Sequence, residues 1–242
     1  MNAETHSVKL ISVSRLADHD LIDLLENARC HYKEDVEELA ESEFITTYCA
    51  RVSNPKNQEN TKTAPRLLRY LMKHKHWSPF EMANMVVEID TTRAIAAQIL
   101  RHRSFSFQEF SQRYSDVSDL PSIGLPLLRT QDAKNKQASH DDLSPELKAR
   151  YEGYIQDLYA GATDLYHNML SNGVAKECAR SILPLGTPTR LLMNGTLRSW
   201  LHFIQIRSGE ETQLEHRMIA LEIKEIFRKE FPVIYEAAFP VY

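Results

Sequence analysis

The chain has 242 residues, 43% of them hydrophobic and 26% charged, with a formal net charge of -4. These are the proportions of an ordinary soluble globular protein, long enough for a large buried core and better suited to one domain than to two small ones. The slight acidity argues against a dedicated nucleic-acid binder, though not against a local basic pocket for a nucleotide. No apolar run approaches membrane-spanning length and Met1–His6 lacks a leader-like pattern, so a cytoplasmic location is expected.

Taken in order, Ser7 to Ser14 reads as a strand with Val8, Leu10 and Val13 turned inward, followed by helical patterns near Leu21–Ala28 and Glu43–Arg51. A polar loop from Val52 to Asn60 ends at Thr63, an N-cap candidate two residues before Pro65 at the start of a helix over 66–75. That helix delivers His74, His76 and Ser78. Met85 to Ile89 predicts a strand feeding a helix that starts after Thr91-Thr92 and ends at Arg101, with Ile95, Ile99 and His102 on one face. Ser106-x-x-Glu109 has the spacing of a capping box for a short helix carrying Phe107, Phe110 and Tyr114. The polar, proline-containing segment 118–140 is read as a flexible connection or an ordered excursion over a neighbouring subunit's pocket.

Ser144-Pro145-Glu146 starts a long helix that stops at Asn172-Gly173, with tyrosines suited to core or intersubunit packing. A helix over 174–183 carries Arg180, Pro184 breaks it, and a short strand follows at 189–193. Residues 196–207 are amphipathic, with Leu197, Trp200, Leu201 and Ile204 on the apolar side. Ser208-x-x-Glu211 offers a capping box for a last helix over 212–230, whose stripe includes Leu214, Met218, Leu221, Ile223, Ile226 and Phe227.

The densest chemistry lies between Arg101 and Tyr114, where guanidinium forks that fit phosphate or carboxylate sit among hydroxyls and aromatic rings. A phosphorylated, ring-containing ligand suits that mixture. Gln98 and Arg101 share a helical face, whereas Arg101 and Arg103 diverge. The seven glycines form neither G-x-G-x-x-G nor a Walker loop, so a Rossmann or P-loop mode of phosphate binding is not expected. Cys30, Cys49 and Cys178 form no CxxC and are read as buried hydrophobes or inert thiols. Without more, a nucleotide- or RNA-binding module, or a metal hydrolase using His74, His76 and His216, would draw on the same residues.

Four segments narrow the choice. Arg101-His102-Arg103, seven residues, then Ser111 and Arg113, resembles the signature of the flavin-dependent thymidylate synthases. Lys73-His74-Lys75-His76-Trp77-Ser78-Pro79-Phe80-Glu81, Glu177 to Pro184 and Leu197 to Arg207 are similar to three further motifs of that family, in the family's order. Met82 departs from the pattern, which commonly has histidine there. The resemblance implies an α+β fold, a single domain over 1–242 with a small, mainly antiparallel sheet flanked by long helices. It implies methylation of dUMP to dTMP with methylenetetrahydrofolate as carbon donor, NADPH as reductant and FAD as cofactor, in a homotetramer with active sites at subunit junctions. No metal, nucleic-acid or membrane partner is expected.

Residue by residue, the resemblance gives dUMP to Gln98, Arg101, Glu109, Ser111, Gln112, Arg113, Arg180 and Arg207. It gives FAD to His76, Ser78, Arg101, His102, Arg103, Glu109, Thr196, Arg198 and His202. No Pro-Cys pair is present, so the uracil has to be activated without the thiol of the cysteine-dependent thymidylate synthases. Arg207 is the catalytic candidate: always charged, it cannot act as a base but stabilises uracil deprotonated at N3 or a developing oxyanion. Ser111 has no adjacent base and is a positioning group.

Overall fold

The computed structural model describes residues 6–32 and 39–240; Met1–Thr5, read above for a leader, lie outside them. The centre of the molecule is β2 (Asn84–Thr92), where every second side chain from Met85 through Val87 and Ile89 to Thr91 is buried. Burying each of the three apolar ones stabilises the fold by about 1.5–3 kcal/mol. β1 (Ser7–Val13) pairs with one side of β2, with Ile11 bulged out between Leu10 and Ser12. On the other side lies β6 (Pro188–Thr196), nine residues rather than the short strand expected, because its register with β2 runs unbroken from Asn84↔Thr196 to Thr92↔Pro188. The four-stranded sheet has the order β1-β2-β6-β3, antiparallel throughout.

Its edge, β3 (Ser106–Glu109), corrects the sequence reading. Ser106-x-x-Glu109 is not a capping box, and no helix follows. Residues 106 to 109 pair with Asn194 to Leu191, so their backbone groups are committed to the ladder, and the Phe105/Phe107 alternation matches the pleat instead of a helical turn. Phe105 lies flat over Gly195, where a Cβ would meet its ring at 2.4 Å. Only glycine admits the aromatic at that point.

Helices α1 (His19–His31), α2 (Glu41–Ala50) and α3 (Ala64–Lys73) follow β1 near the expected positions. Thr63 flanks α3 without capping it; its hydroxyl accepts from Arg51. The 27-residue α5 (Pro145–Ser171) starts on Ser144, whose hydroxyl accepts the Leu147 N–H, and ends at Asn172 before Gly173 at φ 81°. The helix carrying Arg180 is shorter than expected: α6 (Lys176–Ala179) passes into a single 3-10 turn, Arg180–Ile182, before Pro184. α8 (Leu214–Glu230) begins two residues late and lacks the predicted cap, since Ser208 already closes the preceding helix. Its buried stripe is Glu215, His216, Ile219, Ala220, Ile223 and Phe227, which leaves Leu221 exposed. A final helix, α9 (Pro232–Ala238), packs on α3.

Glu43 fastens α9. Its buried carboxyl accepts the backbone N–H groups of Ala40 (2.9 Å) and Ile234 (2.7 Å), and burial pushes its pKa up to about 8. The expectation of buried thiols fails at Cys30 and Cys178, which are exposed on helix surfaces.

Two hydrophobic clusters result. The large one joins the sheet to α3, α4 (Arg93–Ile99), α7 (Leu197–Arg207), α8 and α9; the small one is Val117, Tyr166 and Ala179 with their neighbours. The 118–140 segment lies along its own chain, where Ile123, Leu125 and Leu127 meet Tyr159 and Leu185 around a 260 Å³ cavity, and it ends in a ribbon of β4 (Thr130–Gln131) with β5 (Ser139–His140). No described helix is long and apolar enough to cross a membrane.

Candidate active site

The site is assembled by one local device used twice. β2 ends in Thr92, whose hydroxyl accepts the Ile95 N–H (3.4 Å) and starts α4; β6 ends in Thr196, whose hydroxyl accepts the Ser199 N–H (3.3 Å) and starts α7. Such caps stabilise a helix by about 1 kcal/mol. Because the strands are antiparallel, the helices start at opposite ends of the pair, and the residues at their far ends meet. Arg207, last in α7, donates its Nε–H to His102 Nε2, just past α4, at 2.9 Å.

That contact fixes a protonation state. Burial, with the Arg207 charge beside it, takes the His102 pKa down to about 4, and burial with the same arginine does likewise for His216. Both rings are therefore neutral near pH 7. Nε2 of His102 is an acceptor, so the always-protonated guanidinium is held by a neutral group and keeps its full charge. His102 also packs edge-on against Phe203 and His216. His216 is completely buried, with Nδ1 3.4 Å from Gln98 Oε1. A 460 Å³ cleft is lined by Gln98, Arg207, Gln213 and the inner side of the β4–β5 ribbon.

A second cleft, of 410 Å³, opens where α7 meets the turn after α3. Trp77 and Leu201 give it apolar walls, and Arg198, His202, Glu81 and Ser104 supply polar ones. Arg198 is ion-paired to Glu81, and Ser199 donates to the Ser104 carbonyl at 3.1 Å. His202 is exposed at the rim of this cleft. His76 and Ser78, both exposed, flank Trp77; Lys75 before them is the one non-glycine with positive φ (58°) among the described residues. Flat apolar walls with a cation, an imidazole, hydroxyls and a carboxylate at the rim fit the ring system of a flavin.

The remaining predicted residues lie elsewhere on the surface or do structural work. Arg101 and Arg103 are exposed after α4. Glu109 accepts from the Thr189 hydroxyl at 3.0 Å. Gln112 is buried and accepts from Arg93, and its Nε2 has no partner among the described residues. Ser111 and Arg113 belong to a turn docked on α6 through Arg113–Glu177 (3.2 Å) and the bond from Lys176 to the Tyr114 carbonyl (2.9 Å). Half-buried Arg180 follows that helix. Thus Arg207, His102 and Gln98 come together, as do Arg198 and His202, with Ser78 next to the Trp77 wall in sequence, whereas Ser111, Arg113 and Arg180 sit beside the small cluster.

Trp77, Gln213 and the packing role of His216 were not anticipated. The sequence offers His216 only as a metal ligand beside His74 and His76, and among the described residues no trio of His, Cys, Asp or Glu is grouped to hold a metal. Nothing in its spacing marks it; it is placed by the packing of α8 against His102 and Phe203.

The model of one family, "Thymidylate synthase complementing protein", matches residues 34–233. A Paramecium bursaria Chlorella virus 1 protein named "Probable flavin-dependent thymidylate synthase" is 50% identical over 202 residues, covering 84% of this chain and 93% of its own. A Synechocystis "Flavin-dependent thymidylate synthase" is 49% identical over 195 residues, covering 81% and 88%. Among solved structures, a UMP/dUMP methylase, PolB from Streptomyces cacaoi, bound with 5-Br dUMP, superposes with a TM-score of 0.75 at 24% identity over 97% of this chain and 94% of its own. At that identity the likeness speaks for the fold.

Proposed function

Since the chain belongs to the family of flavin-dependent thymidylate synthases, we propose that it methylates dUMP to dTMP, with methylenetetrahydrofolate as carbon donor and NADPH as reductant. The observation that carries this reading is the Arg207–His102 pair: a guanidinium oriented by a neutral imidazole on the wall of a nucleotide-sized cleft.

Arg207 would do its work by charge. With Nε committed to His102 and the residue lining the cleft, its Nη groups would stabilise negative charge as uracil loses its N3 proton or builds an oxyanion. That makes C5 nucleophilic without a thiol. Gln98 would bind the nucleotide beside it, and Arg101, Ser111, Arg113 and Arg180 its phosphate and sugar, with Glu109 and Gln112 shaping that wall. FAD would lie in the Trp77 cleft against His76, Ser78, Arg198 and His202, with Arg101, Arg103 and the 102, 109 and 196 positions around it. Bound flavin, once reduced, supplies the hydride that completes the methyl group.

A homotetramer, formed from single-domain copies of the whole chain in the cytoplasm, belongs to the same reading. Its support is the outer face of α5, where Tyr151, Tyr154, Leu158 and Leu165 are exposed at helical spacing; Leu158 shows 64% of its surface. The test is NADPH- and flavin-dependent release of dTMP from dUMP by the purified protein. Absence of product from flavin-loaded protein would overturn the proposal.

A further inference from the structure

Of the residues by which the 118–140 segment lines the nucleotide cleft, Arg129 stands apart through a buried ion pair that the proposed reaction leaves without a task. Nη2 of Arg129 lies 2.9 Å from each carboxylate oxygen of Glu215, and both side chains are about nine-tenths buried, at 12% and 10% exposure. Nε of Arg129 donates to Ser139 Oγ at 2.9 Å, closing the β4–β5 ribbon over the same point. From Glu215 the bonds continue inward: Gln213 Nε2 donates to Glu215 Oε2 (2.9 Å), and Gln98 Nε2 donates to Gln213 Oε1 (2.7 Å).

The direction of this chain is forced. An ionised carboxylate only accepts, so Gln213 must turn its NH2 toward Glu215 and its carbonyl toward Gln98. Gln98 must then give its NH2 to that carbonyl, since the opposite orientation would set two carbonyl oxygens against each other. Gln98 keeps its second N–H and Oε1; that carbonyl oxygen is fixed near the Nδ1 of His216 with a second lone pair to spare, on a residue that lines the cleft together with Arg207.

We propose that Arg129 is a positioning residue for substrate: by holding Glu215 as a fixed acceptor it orients Gln213 and Gln98, so that the cleft offers a hydrogen-bond acceptor to an N–H or O–H of the bound nucleotide. The inference rests on the reading of this cleft as the dUMP site. It gives the ribbon a reason to be pinned where it is, and it makes a donor-bearing nucleotide the preferred ligand.

The experiment is a double-mutant cycle. Arg129→Met should raise the KM for dUMP about tenfold, the scale of one lost charge-assisted contact, with kcat and flavin content nearly unchanged, and Arg129→Lys should recover much of the loss. In a Gln98→Ala background, Arg129→Met should add nothing further. The pair Arg129→Met with Glu215→Met strands no buried charge, and should show the same KM rise even if the single variant folds poorly. An equal KM effect with and without Gln98, or an unchanged KM in the folded double variant, would overturn the proposal. Calorimetric dUMP affinity measured in parallel separates the two readings. If the wild type binds dUMP without turnover, the proposed function fails, and the Arg129–Gln98 coupling in Kd still decides this inference.

Discussion

The two hydrophobic clusters carry two parts of the candidate site and treat them in opposite ways. On the large cluster, Arg207, His102, Gln98 and His216 are half-buried or buried and bonded to one another, so their geometry exists before any ligand arrives. On the small one, Ser111 and Arg113 are exposed, and the Arg113–Glu177 pair joins two side chains that each show more than half their surface to solvent. Exposed pairs of that kind contribute about 0–1 kcal/mol and are screened by salt. One part of the site is therefore preorganised, whereas the other, in the proposed homotetramer, would be completed by a partner surface. An exposed apolar face on α5, which packs on the same small cluster, indicates where a second copy would supply it.

Four experiments would break or sharpen this contrast. Arg207→Ala should have the largest effect, lowering kcat by about 10²–10³-fold, as loss of an oxyanion donor does, with only a few-fold change in dUMP affinity; a fully active variant would remove the role assigned to the preorganised part. Leu158→Arg should give smaller species in sedimentation and lose activity in proportion to dissociation. Retention of full activity by a monomer would mean that one chain completes its own site. Arg180→Ala should raise the KM for dUMP by about tenfold, because a charge-assisted phosphate contact is lost, while the flavin spectrum stays the same.

The smallest effect is on stability. The folded-state pKa values of His102 and His216 fall to about 4, below the unfolded value of 6.5, so between those pH values the unfolded chain takes up protons that the folded one refuses. The contribution of these rings is thus intact above about pH 6.5 and is lost as pH falls toward 4. His216→Phe should lower the slope of Tm against pH in that window; an unchanged slope would show that His216 is not held neutral.

Much of this was legible in the sequence where local chemistry decides. Ser144-Pro145 and Asn172-Gly173 bound α5 because their side chains and backbone act within one turn. Thr92 caps as read, and the apolar stripe of α7 is buried as predicted, while the Thr196 cap is a finding of the structure. The failures share a cause. Ser106-x-x-Glu109 satisfies a capping pattern, but the free edge of β6, distant in sequence, offered a better set of partners. Ser208-x-x-Glu211 fails because Ser208 is already the end of α7, and Leu221 faces outward because the face of α8 that meets the core is the one bearing His216, Ile219, Ala220, Ile223 and Phe227. Arg129 and Glu215, 86 residues apart, carry no local mark at all, and their pairing exists only once the 118–140 segment is laid along the chain.

Trp200 is one of two tryptophans in the chain, completely buried, with its ring 4.7 Å from that of Phe105 and its indole N–H given to the Met85 carbonyl at 3.0 Å; the other, Trp77, walls the flavin-sized cleft. Nature has thereby installed two fluorophores with separate duties. Emission from Trp77 reports what enters the cleft, through quenching by an absorbing chromophore nearby, while Trp200 reads out the integrity of the interior, so a single ultraviolet titration distinguishes occupancy from unfolding.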